Sequence, residues 1–307
     1  MHCFVLGTGG MMPMPYRWLT SVAIRTGGQI YLFDCGEGNQ VPYKELHLGL
    51  RPLRIIAISH LHADHILGLP GILMLRAQMP DPEPLLLLGP PGLERFIRNV
   101  RQDVPMHINY PIEVREWSKQ ASALAYEDEL VRLFWHPLEH SLFCLGYRLE
   151  EHERPGKFDL DAAQKLGIPA GPLFGQLQAG NSVTLPNGEV VTPKQVLGPN
   201  RRGRCVAFAT DTVFTPQLYP LLKDTDLAFV ESMYLSEHEE DAAEKKHMTA
   251  TQAAQAAQNA NVQQLLLIHL SPRYEKKDRH LFTKEAQAVH NNARAARDGE
   301  MIEVPLP

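Results

Sequence analysis

Short hydrophobic runs, separated by glycine, proline or polar residues, recur through the first third of the chain. The runs CFVLG, SVAIRT, QIYLFDCG and RIIAISH contain many β-branched and aromatic residues, which predicts short and mostly buried strands. Helical spacing appears in LGLPGILMLRAQM, from Leu67 to Met79, and LLLLGPPGLERFIRNVRQ predicts a strand, a turn and an amphipathic helix. Strands and helices are therefore expected to interleave.

The pattern changes in the middle of the chain and then returns. After the predicted strands PIEVREW, LVRLFWHP and FCLGYRLE, the segment 151–202 becomes polar and rich in proline and glycine, which indicates an insertion. Within it, NSVTLPNGEVV predicts a hairpin around the PNG turn. The strands RCVAFATD, DLAFVES and QQLLLIHLS and the helix TATQAAQAAQNAN follow. We therefore predict an α/β fold with an inserted arm.

Composition limits the class of protein. The 307 residues are 44% hydrophobic, enough for a large core, and the net charge of −5 gives no overall attraction for nucleic acid. The four cysteines are far apart in sequence, which does not suit a disulfide framework or a structural zinc site and favours a reducing compartment. We find neither a signal-peptide pattern nor an apolar run of roughly 18 residues, and expect a soluble, cytoplasmic protein.

The strongest chemical signal is SHLHADH, which places His60, His62, Asp64 and His65 directly after the apolar run RIIAI. Imidazole and carboxylate groups are the ligands that Zn²⁺ prefers, and Mn²⁺ or Fe²⁺ also accept them. A loop at the end of a strand can direct these four side chains towards two metals at once. The motif therefore predicts a metal site with more than one ion.

A site for two metals needs further ligands, and three later strand ends supply them. His140 follows LVRLFWHP, Asp211 ends CVAFATD, and His269 ends QLLLIH. We predict that Asp211 bridges two sets of ligands, which leaves coordination positions for water. The two predicted sets are His60, His62 and His140 for one metal, and Asp64, His65 and His269 for the other.

These residues, in this order, make the chain resemble the metallo-β-lactamase superfamily and, within it, the ribonuclease Z family of tRNA 3′-processing endonucleases. The resemblance covers nearly the whole length. Besides HxHxDH it includes FVLGTGG, the FDCGE segment from Phe33 to Glu37, PLEH ending at His140, Asp211 with Thr212, and HMTATQAA beginning at His247. It implies a four-layer αβ/βα sandwich that spans residues 1–307.

The resemblance also implies a function and the residues that perform it. Two zinc ions, or alternatively manganese, would be held by the seven ligands, and a metal-bound hydroxide would attack the phosphodiester that joins the 3′ trailer to precursor tRNA. The tRNA would keep a 3′-hydroxyl and the trailer a 5′-phosphate. Asp64 would act as general base, and His247, assisted by Glu231, would donate a proton to the leaving oxygen.

Substrate contacts are implied in the same way. The insertion at 151–202 matches the flexible arm with which family members hold the tRNA body, and Gly171 and Pro172 form its characteristic turn. Arg17 and Arg273 are candidates for phosphate contacts, because a guanidinium binds phosphate through two hydrogen bonds. A homodimer is also implied. The chain departs from the family pattern at Trp18, Ala63, Thr210 and Val230.

Two other functions are compatible with the sequence. A phosphodiesterase or small-ester hydrolase would keep the metals and change the substrate. A metal-bearing RNA-binding protein without turnover would keep the ligands alone, although a purely structural zinc site normally has four closed protein ligands.

Overall fold

A computed structural model of the chain describes residues 1–118 and 121–307, which form two compact units. One unit comprises residues 1–150 and 204–305, and the other comprises residues 151–203 and 306–307. The insertion predicted at 151–202 falls in the second unit, and its role as a tRNA-binding arm stays a prediction.

Strands make up the centre of the first unit. Within the described residues the strands of the chain are β1 (His2–Gly7), β2 (Ser21–Thr26), β3 (Gln29–Phe33), β4 (Leu53–Ala57), β5 (Leu85–Gly89), β6 (Ile112–Glu116), β7 (Ala123–Glu127), β8 (Val131–Glu139), β9 (Phe143–Glu151), β10 (Val183–Thr184), β11 (Val190–Val191), β12 (Cys205–Ala209), β13 (Leu227–Glu231), β14 (Leu265–Ile268), β15 (Ala293–Ala295) and β16 (Met301–Glu303).

These strands form two large sheets. The N-terminal sheet has the order β16-β1-β2-β3-β4-β5-β6, and the C-terminal sheet has the order β15-β14-β13-β12-β9-β8-β7. Strands β3 to β6 are parallel to one another, as are β12 to β15. Strands β5 and β14 are buried at every residue, as expected for parallel strands that are covered on both faces.

Helices cover the outer faces of both sheets. Their bounds within the described residues are α1 (Gln40–Glu45), α2 (Ala63–Ile66), α3 (Leu69–Arg76), α4 (Leu93–Asp103), α5 (Leu160–Lys165), α6 (Pro172–Gln178), α7 (Leu218–Leu222), α8 (Glu239–Lys245), α9 (Ala250–Asn259) and α10 (Arg279–Gln287). One core lies between the sheets, where Phe33 of β3 contacts Tyr147 and Phe208. Two further cores lie between each sheet and its helices. The predicted four-layer sandwich is confirmed.

The parallel strands bring the chemically important residues together. Asp34 follows β3, His60 follows β4, Asp211 follows β12, and His269 follows β14, so each lies just beyond the carboxyl end of its strand. Strands β3 and β4 belong to the N-terminal sheet and β12 and β14 to the C-terminal sheet, and α/β proteins bind their ligands at the carboxyl ends of parallel strands. The fold therefore places one candidate site where these strand ends of the two sheets come together.

The second unit has a small core of its own. Helices α5 and α6 and the hairpin β10-β11 surround a cluster that includes Ala163, Leu177 and Val191. The predicted hairpin is confirmed, with Val183 opposite Val191. Gly171 precedes α6 with φ 140°, a conformation that favours glycine, and Pro172 occupies the first turn of that helix.

The helix predicted over Leu67–Met79 is confirmed but is shorter, since α3 begins at Leu69 and ends at Arg76. A Cβ atom at Gly68 would lie 1.9 Å from the carbonyl oxygen of Gly36, so the loop after β3 packs closely against the residue that precedes α3.

The four cysteines are buried and free, in agreement with the sequence. Among the described residues, no helix combines the length and the apolarity that a bilayer crossing requires.

Candidate active site

The SHLHADH segment runs from the end of β4 into α2. His60 and His65 are fully buried, whereas His62 and Asp64 are partly exposed. Helix α2 begins at Ala63, so one helical turn carries Asp64 and His65 away from the two preceding histidines. The predicted division of this loop between two sets of ligands follows from this change from extended to helical backbone.

The first donor set consists of His60, His62, His140 and Asp211. Nε2 of His60 lies 2.8 Å from Nδ1 of His62 and 3.5 Å from Oδ2 of Asp211. Nε2 of His140 lies 3.4 Å from Nδ1 of His62 and 3.7 Å from the same Asp211 oxygen. Three ring nitrogens and one carboxylate oxygen that could bind a metal thus surround a common centre.

The second donor set consists of Asp64, His65 and His269 together with the other oxygen of Asp211. Nε2 of His65 lies 3.5 Å from Oδ2 of Asp64 and 3.4 Å from Oδ1 of Asp211. Nε2 of His269 lies 4.0 Å and 3.2 Å from those two oxygens. Asp211 therefore presents one oxygen to each set, which is the geometry of a bridging ligand.

The spacing of these atoms suits small divalent cations. A tetrahedral zinc site with metal–ligand bonds of about 2.0–2.1 Å has ligand atoms about 3.3 Å apart, and the distances above scatter around that value. Nε2 of His65 is buried without a hydrogen-bond partner, although buried polar atoms are nearly always paired. A bound cation would satisfy it, so the residues fit the metals that the sequence predicts.

Protonation also suits metal binding, because a histidine coordinates through a neutral ring nitrogen. Burial lowers the pKa of His60, His62 and His140. Burial also acts to lower the pKa of His65, but Asp211 and Asp34 outweigh it and raise that pKa well above the ordinary value. Metal binding at Nε2 of His65 would therefore have to displace a proton.

Hydrogen bonds to the far side of the ligands fix their orientation. Oδ2 of Asp34 lies 2.7 Å from Nδ1 of His65, the hydroxyl of Thr20 lies 3.0 Å from Nδ1 of His269, and the hydroxyl of Ser59 lies 3.0 Å from Nδ1 of His60. Nδ1 of His140 donates to the carbonyl oxygen of Lys246 at 2.9 Å. Such contacts hold the ring and select the tautomer that binds metal.

The sequence analysis missed these orienting residues. Asp34 belongs to the FDCGE motif but received no role, although it follows a buried strand just as Asp211 does. Asp34 and His269 have φ of 55° and 58°, unusual for residues other than glycine. Their surroundings must hold them in this conformation, and such residues concentrate at functional sites.

His247 lies beside the donor sets and contacts Glu231. Nδ1 of His247 donates to Oε1 of Glu231 at 2.9 Å, and the carboxylate also accepts from the backbone N–H groups of Thr212 and Met233 at 3.0 Å each. Burial acts to lower the pKa of His247, but the Glu231 carboxylate outweighs it and raises the pKa to about 9. This histidine can therefore hold a proton at neutral pH. Val230, a departure from the family pattern, leaves the pair intact.

An open cavity of about 270 Å³ gives access to the donor sets. Its lining includes His62, Asp64, His140, Asp211, His247 and His269 together with Met11, Tyr234 and Lys245. The backbone N–H of Met11 donates to Oδ2 of Asp64 at 2.7 Å. Five of the seven predicted ligands and His247 thus line one accessible cleft, whereas His60 and His65 are fully buried and do not line it.

The predicted substrate contacts occupy other positions. Arg17 is only 6% exposed, and its guanidinium donates to the carbonyl oxygens of Leu270, Ser271 and Tyr274. Three of its N–H groups are therefore engaged, which does not favour the predicted phosphate contact. Arg273 is exposed and pairs with Asp241 at 2.6 Å. Gly171 and Pro172 belong to the second unit, and their contact with tRNA stays a prediction.

Comparisons with known proteins agree with this geometry. Residues 20–151 match the family model of the metallo-beta-lactamase superfamily, and residues 185–270 match that of the beta-lactamase superfamily domain. The chain is 44% identical over 304 residues to ribonuclease Z of Treponema denticola, covering 99% of this chain and 98% of that one. It is 39% identical over 307 residues to ribonuclease Z of Lactiplantibacillus plantarum, covering 98% and 97%.

A solved structure has the same fold. The human tRNase Z, short form, superimposes with a TM-score of 0.72 at 24% identity and covers 100% of both chains. Because two curated relatives exceed one third identity over almost their entire lengths, this chain belongs to the ribonuclease Z family of the metallo-β-lactamase superfamily.

Proposed function

We propose that this chain is a zinc-dependent endoribonuclease that removes the 3′ trailer from precursor tRNA, and that it acts in the cytoplasm as a homodimer. One observation carries the proposal. Asp211 presents one carboxylate oxygen to each donor set, beside the Glu231–His247 pair. The identity to ribonuclease Z of Treponema denticola supports the choice of substrate.

Two divalent cations held by the seven ligands would lower the pKa of water from 15.7 to about 7 and neutralise negative charge on the phosphate. Zinc is the proposed ion, since the donor spacing suits tetrahedral coordination, and manganese is the alternative. Metal content after purification without added metal tests this choice, and reconstitution of the metal-free protein with each ion tests activity.

In the proposed reaction, two side chains of the protein transfer protons and a third keeps one of them protonated. Asp64 accepts the proton of the attacking water, and its oxygen is held by the N–H of Met11 at 2.7 Å. His247 donates a proton to the leaving oxygen, and the buried Glu231 carboxylate keeps the imidazole charged until then.

The second unit is proposed to hold the tRNA body and can be removed with little disturbance to the sheet. Strands β9 and β12 are antiparallel neighbours, with Glu150 opposite Cys205, so a short glycine-containing turn can replace residues 151–202. The deletion variant should lose cleavage of precursor tRNA at least tenfold and retain hydrolysis of a chromogenic phosphodiester. Unchanged tRNA cleavage would contradict the proposed arm and favour a small-ester hydrolase.

Two substitutions separate an enzyme from a protein that only binds RNA. His247→Ala and Asp64→Ala should abolish turnover while binding of precursor tRNA persists. Full activity in both variants would remove the proposed catalytic roles. Light scattering of the purified protein should give the mass of a dimer, and a monomer would contradict the proposed homodimer.

A further inference from the structure

A second and larger groove lies near the carboxyl end of the first unit. It has a volume of about 1130 Å³ and is lined by residues from the segments 8–17, 270–287 and 294–300, which we call the C-terminal groove. This volume exceeds the roughly 300–1,000 Å³ of ordinary small-molecule sites. Nothing described so far assigns it a role.

The lining of the C-terminal groove is strongly basic. Seven lysine and arginine side chains and three carboxylates contribute to it, a local excess of four positive charges in a chain whose net charge is −5. The cationic side chains are Arg17, Lys276, Lys277, Arg279, Lys284, Arg294 and Arg297. A concave basic surface on an acidic protein attracts anions locally.

The three carboxylates are already engaged with the protein. Glu275 pairs with Lys277 at 3.1 Å, and Glu300 pairs with Arg294 at 2.9 Å. Asp298 accepts from the hydroxyl of Thr8 at 2.7 Å and from the backbone N–H of Trp18 at 2.5 Å. The charges of Asp298 and Glu300 still act on Arg279 from a distance, but neither carboxylate forms an ion pair with it.

Arg279 and Arg297 lack such partners. Among residues 1–118 and 121–307, no carboxylate lies within ion-pair distance of either guanidinium, whereas Arg294 nearby has one. Burial, followed by the charges of Arg297 and Arg17, lowers the pKa of Arg279 and outweighs the opposing charges of Asp298 and Glu300. Three guanidinium groups are thus close enough to repel one another. An anion bound between them would relieve this repulsion.

The groove adjoins the metal centre through one loop. Leu270 lines the groove and directly follows the ligand His269, and its N–H donates to the carbonyl oxygen of Thr8 at 2.8 Å. The loop that starts at Thr8 places Gly10 against the ring of His269 and places Arg17 under the groove. A strand of RNA with its scissile phosphate at the metals can cross this loop and continue into the groove.

We propose that the C-terminal groove binds the phosphodiester backbone of the RNA substrate next to the cleavage point, with Arg279 and Arg297 as the main phosphate contacts. This inference rests on the proposed function, because it assigns the groove to the same substrate. Guanidinium groups bind phosphate oxygens through paired hydrogen bonds, and backbone contacts of this kind position nucleic acid without reading its sequence.

The test compares Arg279→Gln/Arg297→Gln and Arg297→Glu with the wild-type holoenzyme. Arg297 is exposed, so the second variant should fold even where the first does not. Arg98→Gln on α4 is the matched control, since α4 follows β5 near the opposite edge of the N-terminal sheet from β16. Precursor tRNA and a chromogenic phosphodiester are the two substrates, and KM for the RNA is measured over a range of salt concentrations.

Both groove variants should raise KM for precursor tRNA about tenfold, change kcat less than twofold, and leave hydrolysis of the small phosphodiester at the wild-type rate. Each lost phosphate contact should reduce the slope of log KM against log salt by about 0.7–0.9. The Arg98 variant should match the wild type in every value.

Wild-type KM and salt slope in Arg297→Glu would overturn the proposal, and so would an equal loss on both substrates. If the wild-type protein leaves precursor tRNA intact, the proposed function fails, and this failure is separate from the groove proposal. Anisotropy of the labelled, uncleaved RNA then measures the affinity of the wild type and of the same variants for it. Equal affinity of wild type and variants in that measurement would also overturn the groove proposal.

Discussion

Oδ2 of Asp34 lies 2.7 Å from Nδ1 of His65, and both side chains are completely buried. The same carboxylate accepts from the backbone N–H and the hydroxyl of Ser59, at 2.6 Å and 2.7 Å. Asp34 therefore joins the ends of β3 and β4 and holds His65 with Nε2 towards the second donor set. A residue outside the ligand sets thus determines the geometry of one ligand.

Asp34→Asn tests this relationship. The variant keeps the size of the side chain and tolerates the left-handed backbone, but it loses the negative charge beside His65. We expect metal affinity, measured by competition with a chelating dye, to fall about 10–100-fold. Asp81→Asn is the matched control, because Asp81 is exposed and has a similar φ of 52°. Equal affinities of the two variants would contradict the orienting role.

Glu231→Gln removes the negative partner of His247. In the metal-free protein we expect the pKa of His247, followed by NMR, to fall from about 9, because the effect of burial is then opposed by the weaker effect of Asp211 and no longer by Glu231. In the loaded enzyme kcat for precursor tRNA should fall about 10²-fold with little change in KM. A variant that keeps the wild-type kcat would show that proton donation does not depend on this pair.

The same pair makes stability depend on pH. The pKa of His247 in the folded protein is raised, so the pair stabilises the metal-free protein fully below about pH 6.5 and loses this effect as pH rises through about 9. The difference in free energy of unfolding between wild type and Glu231→Gln should therefore shrink between these pH values. Urea unfolding at several pH values measures it, and a constant or growing difference would contradict the expectation.

Gly10→Ala tests the packing of the loop before β2 against the second donor set. The added Cβ atom would lie 2.7 Å from Nε2 of His269, so the ring must leave its described position in the second donor set. Bound metal should decrease, and hydrolysis of a small phosphodiester should fall more than tenfold. Gly175→Ala is the control, since nothing lies within 4 Å of the added methyl group there. Full metal content in Gly10→Ala would contradict the described position of His269.

Removal of metal should lower thermal stability. A ligand that binds only the folded protein stabilises it by about 2.7 kcal/mol when present at 100 times its Kd, and the donor sets place the buried Asp211 and the partly exposed Asp64 among histidines. Chelation should therefore lower Tm by several degrees, and added Zn²⁺ should restore it. The Tm of Asp211→Ala should change less than that of the wild type on chelation and on addition of Zn²⁺. Equal changes in Tm would contradict a bridging role for Asp211.

The metal-binding role of the seven residues stays a prediction, but the sequence could indicate that they lie close together, because most of them follow a hydrophobic run and the carboxyl ends of parallel strands converge. The same rule could have identified Asp34, which also follows such a run. It could not identify Thr20 or the carbonyl group of Lys246, since their contacts depend on how loops from distant parts of the chain pack. Arg17 is similar: nothing in MPMPYRW indicates that its guanidinium would be held by the carbonyl groups of a loop some 250 residues later.

Among the secondary-structure elements, the predicted strands with several large apolar residues were confirmed. Helix α10 was not predicted, because RHLFTKEAQ buries only Phe282 and Ala286. Strands β15 and β16 have three residues each and are formed by pairing with β14 and β1. Such elements depend on tertiary contacts more than on local pattern. The C-terminal groove lies among them, so it could not be predicted from the local pattern.

The most direct test of the account is to map the ends of the products that the metal-loaded protein forms from a precursor tRNA, with the metal content of the same sample measured. The account predicts two divalent ions per chain and a single cut that leaves a 3′-hydroxyl on the tRNA and a 5′-phosphate on the trailer, with no cleavage after chelation. Intact precursor RNA in the presence of two bound ions per chain would contradict it.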